Sequence, residues 1–189
     1  MSIAPAPASR RAPLVWLVLA LPSLGLLLLA GQPEADLDVL TSWSGQLAML
    51  LLASALASTG LASFLGQELL RHRRALGLAA FGTSLVHLGL YLAAMGALEP
   101  VLAEIAAPGI WTGWATLGLL VPLALTSRNA AQRRMGRRWK RLQRLAWPAV
   151  ALALAHTYIV HDGQRLALLL AGLLIVIQLS RVTLGRTSA

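Results

Sequence analysis

The stretch ALGLAAFGTSLVHLGLYLAAMGAL, residues 75–98, runs for 24 residues without a charged side chain and contains a single histidine, His87. A helix of that length spans about 36 Å, which exceeds the roughly 30 Å hydrocarbon core of a bilayer. Membrane-spanning β-strands would instead alternate apolar and polar residues over about ten positions. This stretch shows no such alternation, so it predicts a membrane-spanning α-helix.

Five further apolar segments flank this one and are joined by short connections. They are Leu14–Gly31, Trp43–Gly66, Ile110–Thr126, Leu142–Val160 and Leu166–Val182. Hydrophobic residues make up 57% of the 189 residues and charged residues 12%, and a soluble domain of this size has too little interior to bury them. The sequence therefore predicts an all-α membrane protein, a six-helix transmembrane bundle over residues 13–183. A disordered tail at 1–12 and a short tail at 184–189 are expected to flank it.

Basic residues are distributed unequally between the two sides of this bundle. If successive connections lie on opposite sides of the membrane, 15 of the 16 lysines and arginines are on the side of both termini, and Arg165 alone is on the other. The positive-inside rule then predicts that both termini are cytoplasmic. The basic segment 128–144 is either a topology signal alone or also a docking surface that includes Arg137, Arg138 and Arg141, or a contact for anionic lipids. The net charge of +9 does not indicate nucleic acid, because no soluble domain remains to bind it.

Histidines are the candidate metal ligands, since the chain contains no cysteine. His87 follows Arg74 by 13 residues, about 20 Å from the cytoplasmic edge, and His156 lies four residues before the outer end of a span that runs in the same direction. Two imidazoles at one depth on parallel helices suit binding of a haem iron from both sides. The alternative is that each histidine only hydrogen-bonds a neighbouring helix.

Other polar residues are weaker candidates for a functional site. His72 and His161 lie near span ends, where water reaches them, and are secondary candidates. Four polar residues near the two histidines either orient the rings or satisfy backbone carbonyls: Thr83, Ser84, Tyr91 and Thr157. Pro148 is expected to kink span five. A small haem-free transporter or a scaffold subunit is the alternative function, although no internal repeat and no acidic residue is found within the spans.

Several short motifs, in order, resemble the MsrQ (YedZ) family of the ferric-reductase-like transmembrane superfamily. They are RRALGL at 73–78 with His87 and Tyr91 after it, LALTS at 123–127, GRRW at 136–139 and Ala155-His156. The likeness runs from about Trp43 to the end of span six. The resemblance implies a haem-bearing subunit of the bacterial inner membrane that serves a periplasmic molybdopterin-dependent methionine sulfoxide reductase.

The resemblance also implies particular ligands and partners. His87 and His156 match the family's histidines in spans three and five, whereas Gln143 occupies the position of another family histidine and Arg73, beside His72, that of its pair. One haem b per chain is therefore expected, and FMN is a second candidate cofactor. The chain lacks a glycine-rich nucleotide-binding motif, so it needs a cytoplasmic flavin reductase as electron donor. It is expected to be an electron-transfer subunit rather than the catalytic one, in contact with membrane lipids.

Overall fold

The computed structural model describes residues 11–66, 68–160 and 163–187, and it is helical almost throughout. No β-strand occurs within these three ranges, which confirms the all-α fold class. Residues 1–10, which form most of the predicted N-terminal tail, and His161 lie outside the described residues.

Nine helices are present in the described part of the chain, six of them long. In chain order they are α1 (Arg11–Ala30), α2 (Leu37–Leu65), α3 (Glu68–Met95), α4 (Leu98–Glu104), α5 (Pro108–Leu125), α6 (Asn129–Met135), α7 (Arg137–Gln143), α8 (Ala146–Ile159) and α9 (Gln164–Thr187). The six long helices overlap the six predicted spans. The last helix continues five residues beyond Val182, the predicted end of span six.

Three of the described helices contain segments long and apolar enough to cross a membrane: Leu37–Ala62, Leu69–Met95 and Pro108–Leu125. Shorter apolar segments occur in α1 and α9, and α8 has only 14 residues. The chain is therefore a membrane protein by the length and composition of its helices, and the crossing of all six remains a prediction.

The core lies between two helix pairs, α2 with α3 and α5 with α8, and α9 packs against α2 and α8. Buried leucine, alanine, valine, isoleucine and methionine side chains fill this core. Ala80 of α3 and Ala149 of α8 are fully buried, and such small residues let helix backbones approach closely. Helix α1 packs against α3, where Ser23 and Thr83 share a hydrogen bond of 2.8 Å.

The predicted span Leu142–Val160 is divided in the structure, since its first two residues end α7 and residues 146–159 form α8. Between them, Leu145 N donates to Leu142 O at 2.9 Å and Trp147 N donates to Arg144 O at 3.1 Å, which is the tighter i to i+3 pattern. The cause is Pro148, which has no N–H to offer the Arg144 carbonyl and is tolerated only in the first turn of a helix. The expected kink in a continuous span is thus a break, and Gln143 and His156 belong to different helices.

Candidate functional site

His87 on α3 and His156 on α8 face each other in the bundle. Their ring centroids are 6.0 Å apart and the ring planes are inclined at 78°. Two imidazoles that bind one metal ion from opposite sides, each through a bond of about 2 Å, have ring centres roughly 6 Å apart. The spacing therefore suits a single metal ion between the two rings.

Helix α2 holds the His87 ring. His87 Nδ1 donates to the carbonyl oxygen of Thr41 at 2.9 Å, and the Ser44 hydroxyl donates to the same oxygen at 2.8 Å. Ser44 Oγ also lies 3.2 Å from His87 Nδ1. A Cβ atom placed on Gly45 would lie 3.0 Å from His87 Cε1, so the ring packs directly against the backbone of α2.

Helix α5 holds the His156 ring in the same way. His156 Nδ1 donates to the carbonyl oxygen of Gly109 at 2.6 Å, and the Thr112 hydroxyl donates to that oxygen at 2.7 Å. A Cβ atom placed on Gly113 would lie 2.9 Å from His156 Cε1. Both rings are therefore fixed by a carbonyl at one position, a hydroxyl three residues later and a glycine four residues later.

These hydrogen bonds decide which ring nitrogen is available to a metal. A carbonyl oxygen can only accept, so Nδ1 carries the proton in both rings and Nε2 keeps its lone pair. Metal-binding histidines commonly have their second nitrogen fixed in this way. Among the described residues no group of three or more histidine and acidic side chains gathers to bind a bare ion. Two imidazoles suit a haem, whose porphyrin supplies the remaining iron ligands.

Two buried hydroxyls near the site also favour a bound group. Thr41 Oγ1 and Tyr91 Oη have no hydrogen-bond partner within the described residues. Thr41 provides the carbonyl that holds His87, and Tyr91 lies one helical turn beyond His87 on α3. An unpaired buried hydroxyl is unfavourable, and polar groups of a bound cofactor would satisfy it. The donor set, the glycines and these hydroxyls all fit a haem.

The secondary candidates lie away from this pair. His72 is exposed on α3. Gln143 lies at the end of α7, where its Nε2 donates to Thr126 Oγ1 at 3.4 Å. Ser84 donates to the Ala80 carbonyl at 2.9 Å and Thr83 bonds to Ser23, so the hydrogen bonds described for these two side chains do not involve the histidines.

A second feature is a cavity of about 660 Å³ near the basic segment, which we call the inner cavity. Its walls are apolar side chains of α2, α3, α5 and α8. Its polar lining includes Arg73, Arg74, Asn129, Gln132, Trp139, Lys140, Gln143 and Arg144. The Trp139 indole, which is part of the lining, donates to the Thr126 carbonyl at 3.0 Å. The cavity therefore combines apolar walls with several cations.

Arg137, Arg138 and Arg141, the predicted docking residues, are exposed on α7. Arg133, Arg134, Lys140 and Arg144 are exposed beside them. The three predicted docking residues lie outside the lining described for the inner cavity, so the exposed surface and the cavity can be altered separately.

The residues that hold the histidines were missed from the sequence, although a signal for them exists. Trp43-Ser44-Gly45 on α2 and Trp111-Thr112-Gly113 on α5 share the pattern Trp, Ser or Thr, Gly, and a histidine follows each glycine by 42 or 43 residues. This short pattern occurs twice, each time with the same contacts to a histidine.

The fold and the paired histidines define a class of protein, a helical membrane protein with two facing imidazoles from different helices. The chain belongs to the family described as the ferric reductase like transmembrane component, whose model matches residues 44–154. The matched range includes His87 and ends two residues before His156.

Curated relatives point to one branch of this family. The chain is 40% identical over 115 residues to the protein-methionine-sulfoxide reductase heme-binding subunit MsrQ of Brucella ovis, and equally to those of Brucella canis and Brucella suis. The match covers 59% of this chain and 52% of each relative, so the chain spans about half the length of the curated relatives it matches. No solved structure matches the chain.

Proposed function

We propose that this chain is the haem-binding membrane subunit of a methionine sulfoxide reductase system and that His87 and His156 bind one haem b. The observation that carries the proposal is the pair of facing imidazoles, 6.0 Å apart, each with Nδ1 bonded to a carbonyl. The names of the relatives, which are heme-binding subunits, support it. When bound, the haem supplies a one-electron carrier within the membrane.

The protein's own residues fix the geometry of this site. His87 and His156 would bind the iron through Nε2, while the carbonyls of Thr41 and Gly109 keep both rings in one tautomer and one orientation. The two histidines are partly buried among the helices, which limits the access of water to the rings. Ligands that are fixed in advance do not have to reorganise when the iron changes its oxidation state, which favours electron transfer over ligand exchange.

The chain carries electrons from a cytoplasmic flavin reductase to a periplasmic molybdopterin-dependent methionine sulfoxide reductase. The unequal distribution of basic residues supports an inner-membrane orientation with both termini cytoplasmic. The exposed cations of α6 and α7 support docking of an acidic donor on that side. The chain is then an electron-transfer subunit, and methionine sulfoxide is reduced on the partner.

FMN in the inner cavity is a further part of the proposal. A flavin mononucleotide combines a planar ring system with a phosphate, and the cavity combines apolar walls and Trp139 with Lys140 and Arg144. Lys140→Gln together with Arg144→Gln should lower the amount of FMN that copurifies with the protein. The matched control is Arg133→Gln with Arg134→Gln, since these neighbours lie outside the described lining. Equal FMN in the two double variants would contradict an FMN site there.

The haem site is tested on the full chain purified from membranes in detergent. We expect Soret and α bands of a low-spin b-type haem, and we expect His87→Ala and His156→Ala each to lose haem or change the spectrum. His72→Ala is the matched control, because His72 lies on the same helix as His87 but is exposed. A colourless protein, or both single variants with wild-type spectrum and haem content, would contradict the proposal.

A further inference from the structure

The helix pairs α2–α3 and α5–α8 show the same arrangement, and in each pair one carbonyl oxygen accepts hydrogen bonds from both a hydroxyl and a histidine ring. The Thr41 oxygen accepts from Ser44 at 2.8 Å and from His87 at 2.9 Å. The Gly109 oxygen accepts from Thr112 at 2.7 Å and from His156 at 2.6 Å. The Thr112 hydroxyl also lies 3.0 Å from the Pro108 oxygen, so Gly109 O is the nearer of its two acceptors. Each oxygen thus accepts one hydroxyl and one imidazole proton in addition to the backbone N–H of the residue four positions later in its own helix.

The second donor on each carbonyl changes the imidazole's properties as a ligand. A strong hydrogen bond from the distal ring nitrogen raises the basicity of the nitrogen that binds metal. A carbonyl that already accepts a hydroxyl proton has less electron density to offer, so its bond to the imidazole is weaker than it would be alone. The hydroxyl therefore limits how strongly each histidine donates electrons to a bound metal.

We propose that Ser44 and Thr112 are positioning residues that hold the reduction potential of the histidine-bound haem at a higher value than the two carbonyls alone would give. This inference rests on the proposed haem site. A less basic axial ligand stabilises ferric iron less, and hydrogen bonding around the axial ligands is one of the means by which proteins set haem potentials. Ser44 is fully buried and Thr112 nearly so, so both hydroxyls are shielded from water.

Serine and threonine hydroxyls commonly donate to a carbonyl of their own helix. The same two helices contain hydroxyls of this kind whose described acceptors do not bind a histidine, and these serve as controls. Ser58 on α2 is buried and donates to the Ala55 carbonyl at 2.8 Å, with the three-residue spacing of Ser44. Thr116 on α5 is buried and donates to the Thr112 carbonyl at 2.8 Å. The hydrogen bonds described for Ala55 and Thr112 oxygens do not involve a histidine.

The experiment is a redox titration of the purified full chain, followed by its α band. Ser44→Ala and Thr112→Val should each retain haem and shift the midpoint potential to lower values, and the double variant should shift it by about the sum. Ser58→Ala and Thr116→Val should keep the wild-type potential. Thr112→Ser retains the hydroxyl and should also keep it, which separates loss of the hydrogen bond from loss of the methyl group.

Outcomes that overturn this inference differ from those that overturn the haem site. Haem bound at an unchanged potential in both Ser44→Ala and Thr112→Val would overturn the role of the hydroxyls and leave the haem site intact. Equal shifts in the two control variants would also overturn it. If Ser44→Ala does not fold, the comparison of Thr112→Val with Thr112→Ser decides the matter. Absence of haem from the wild-type protein would overturn both proposals.

Discussion

The imidazole planes of His87 and His156 are inclined at 78°, although each ring makes the same hydrogen bond to a neighbouring helix. The orientation of each ring follows from its own carbonyl and its own glycine, on α2 for one and on α5 for the other. A haem between them would therefore have nearly perpendicular axial ligands. Because both rings are fixed on the protein side, haem binding is not expected to turn them parallel.

This angle leads to a spectroscopic prediction. Perpendicular imidazole planes leave two iron d orbitals close in energy, so the ferric protein should give a highly anisotropic low-spin signal in electron paramagnetic resonance. Parallel planes would give a rhombic signal with a smaller spread. The measurement uses the oxidised, purified protein at low temperature. A rhombic signal would show that at least one ring turns when haem binds.

The glycines that face the two rings are expected to be essential for haem binding. Gly113→Ala would place a Cβ atom 3.0 Å from His156 Nδ1, and Gly45→Ala would place one 3.1 Å from His87 Nδ1. Overpacking of this kind costs about 1–3 kcal/mol, which corresponds to roughly 5- to 150-fold weaker haem retention. Retention is measured as haem per chain and as the rate of haem transfer to apomyoglobin.

The control for these substitutions is Gly118→Ala on α5. A Cβ atom there meets no heavy atom within 4 Å beyond its chain neighbours and the nearby backbone of its own helix. Alanine also favours a helix over glycine by about 0.5–1 kcal/mol. This variant should keep wild-type haem content and be slightly more stable. Wild-type haem retention in Gly45→Ala and Gly113→Ala would show that the rings can move without loss of binding.

Haem stoichiometry should be about one per chain, because a side-chain amide is a poor ligand for haem iron. Gln143 and Arg73 both line the inner cavity, and the family resemblance pairs these two positions. Haem and protein are quantified on the same purified sample. The double variant Arg73→His with Gln143→His should raise the ratio towards two if the cavity still accommodates a haem. Two haems in the wild-type chain would contradict the prediction and indicate His72 as an unrecognised ligand.

Much of this arrangement is readable from the sequence, because the bilayer imposes long apolar segments with cations at their cytoplasmic ends. Counting residues from Arg74 and from the outer end of span five placed His87 and His156 at one depth, and the structure brings the two rings together. The acceptors that hold the rings could not be read in the same way. They are backbone carbonyls of Thr41 and Gly109, and a carbonyl leaves no trace in residue identity.

Two other features show why the remainder was not predicted. The repeated pattern at Trp43-Ser44-Gly45 and Trp111-Thr112-Gly113 is three residues long and lies in sequences that otherwise differ, so only the shared contacts reveal it. The break between α7 and α8 depends on whether a proline interrupts a helix or begins one, and either choice is compatible with an apolar stretch. Both features depend on tertiary packing, which cannot be predicted from the hydropathy of the sequence.

The exposed cations of α7 give the last prediction, which concerns entry of electrons. Arg137, Arg138 and Arg141 are exposed and lie outside the described lining of the inner cavity. A dense positive surface accelerates encounter with an acidic partner by roughly tenfold or more at low ionic strength, and the effect fades as the Debye length falls below about 10 Å. Replacing all three with glutamine should therefore slow haem reduction by a cytosolic flavin reductase roughly tenfold at low salt.

The measurement is stopped-flow haem reduction at several ionic strengths, with haem content and membrane orientation checked for each protein. Wild type should become slower as salt rises and approach the triple variant, because screening and charge removal act on the same step. Arg165→Gln, an exposed cation at the start of α9 on the predicted opposite side, is the control and should react like wild type. Since the remaining cations still satisfy the positive-inside rule, orientation should not change. Equal rates for wild type and triple variant at every salt concentration would leave these arginines as topology determinants only.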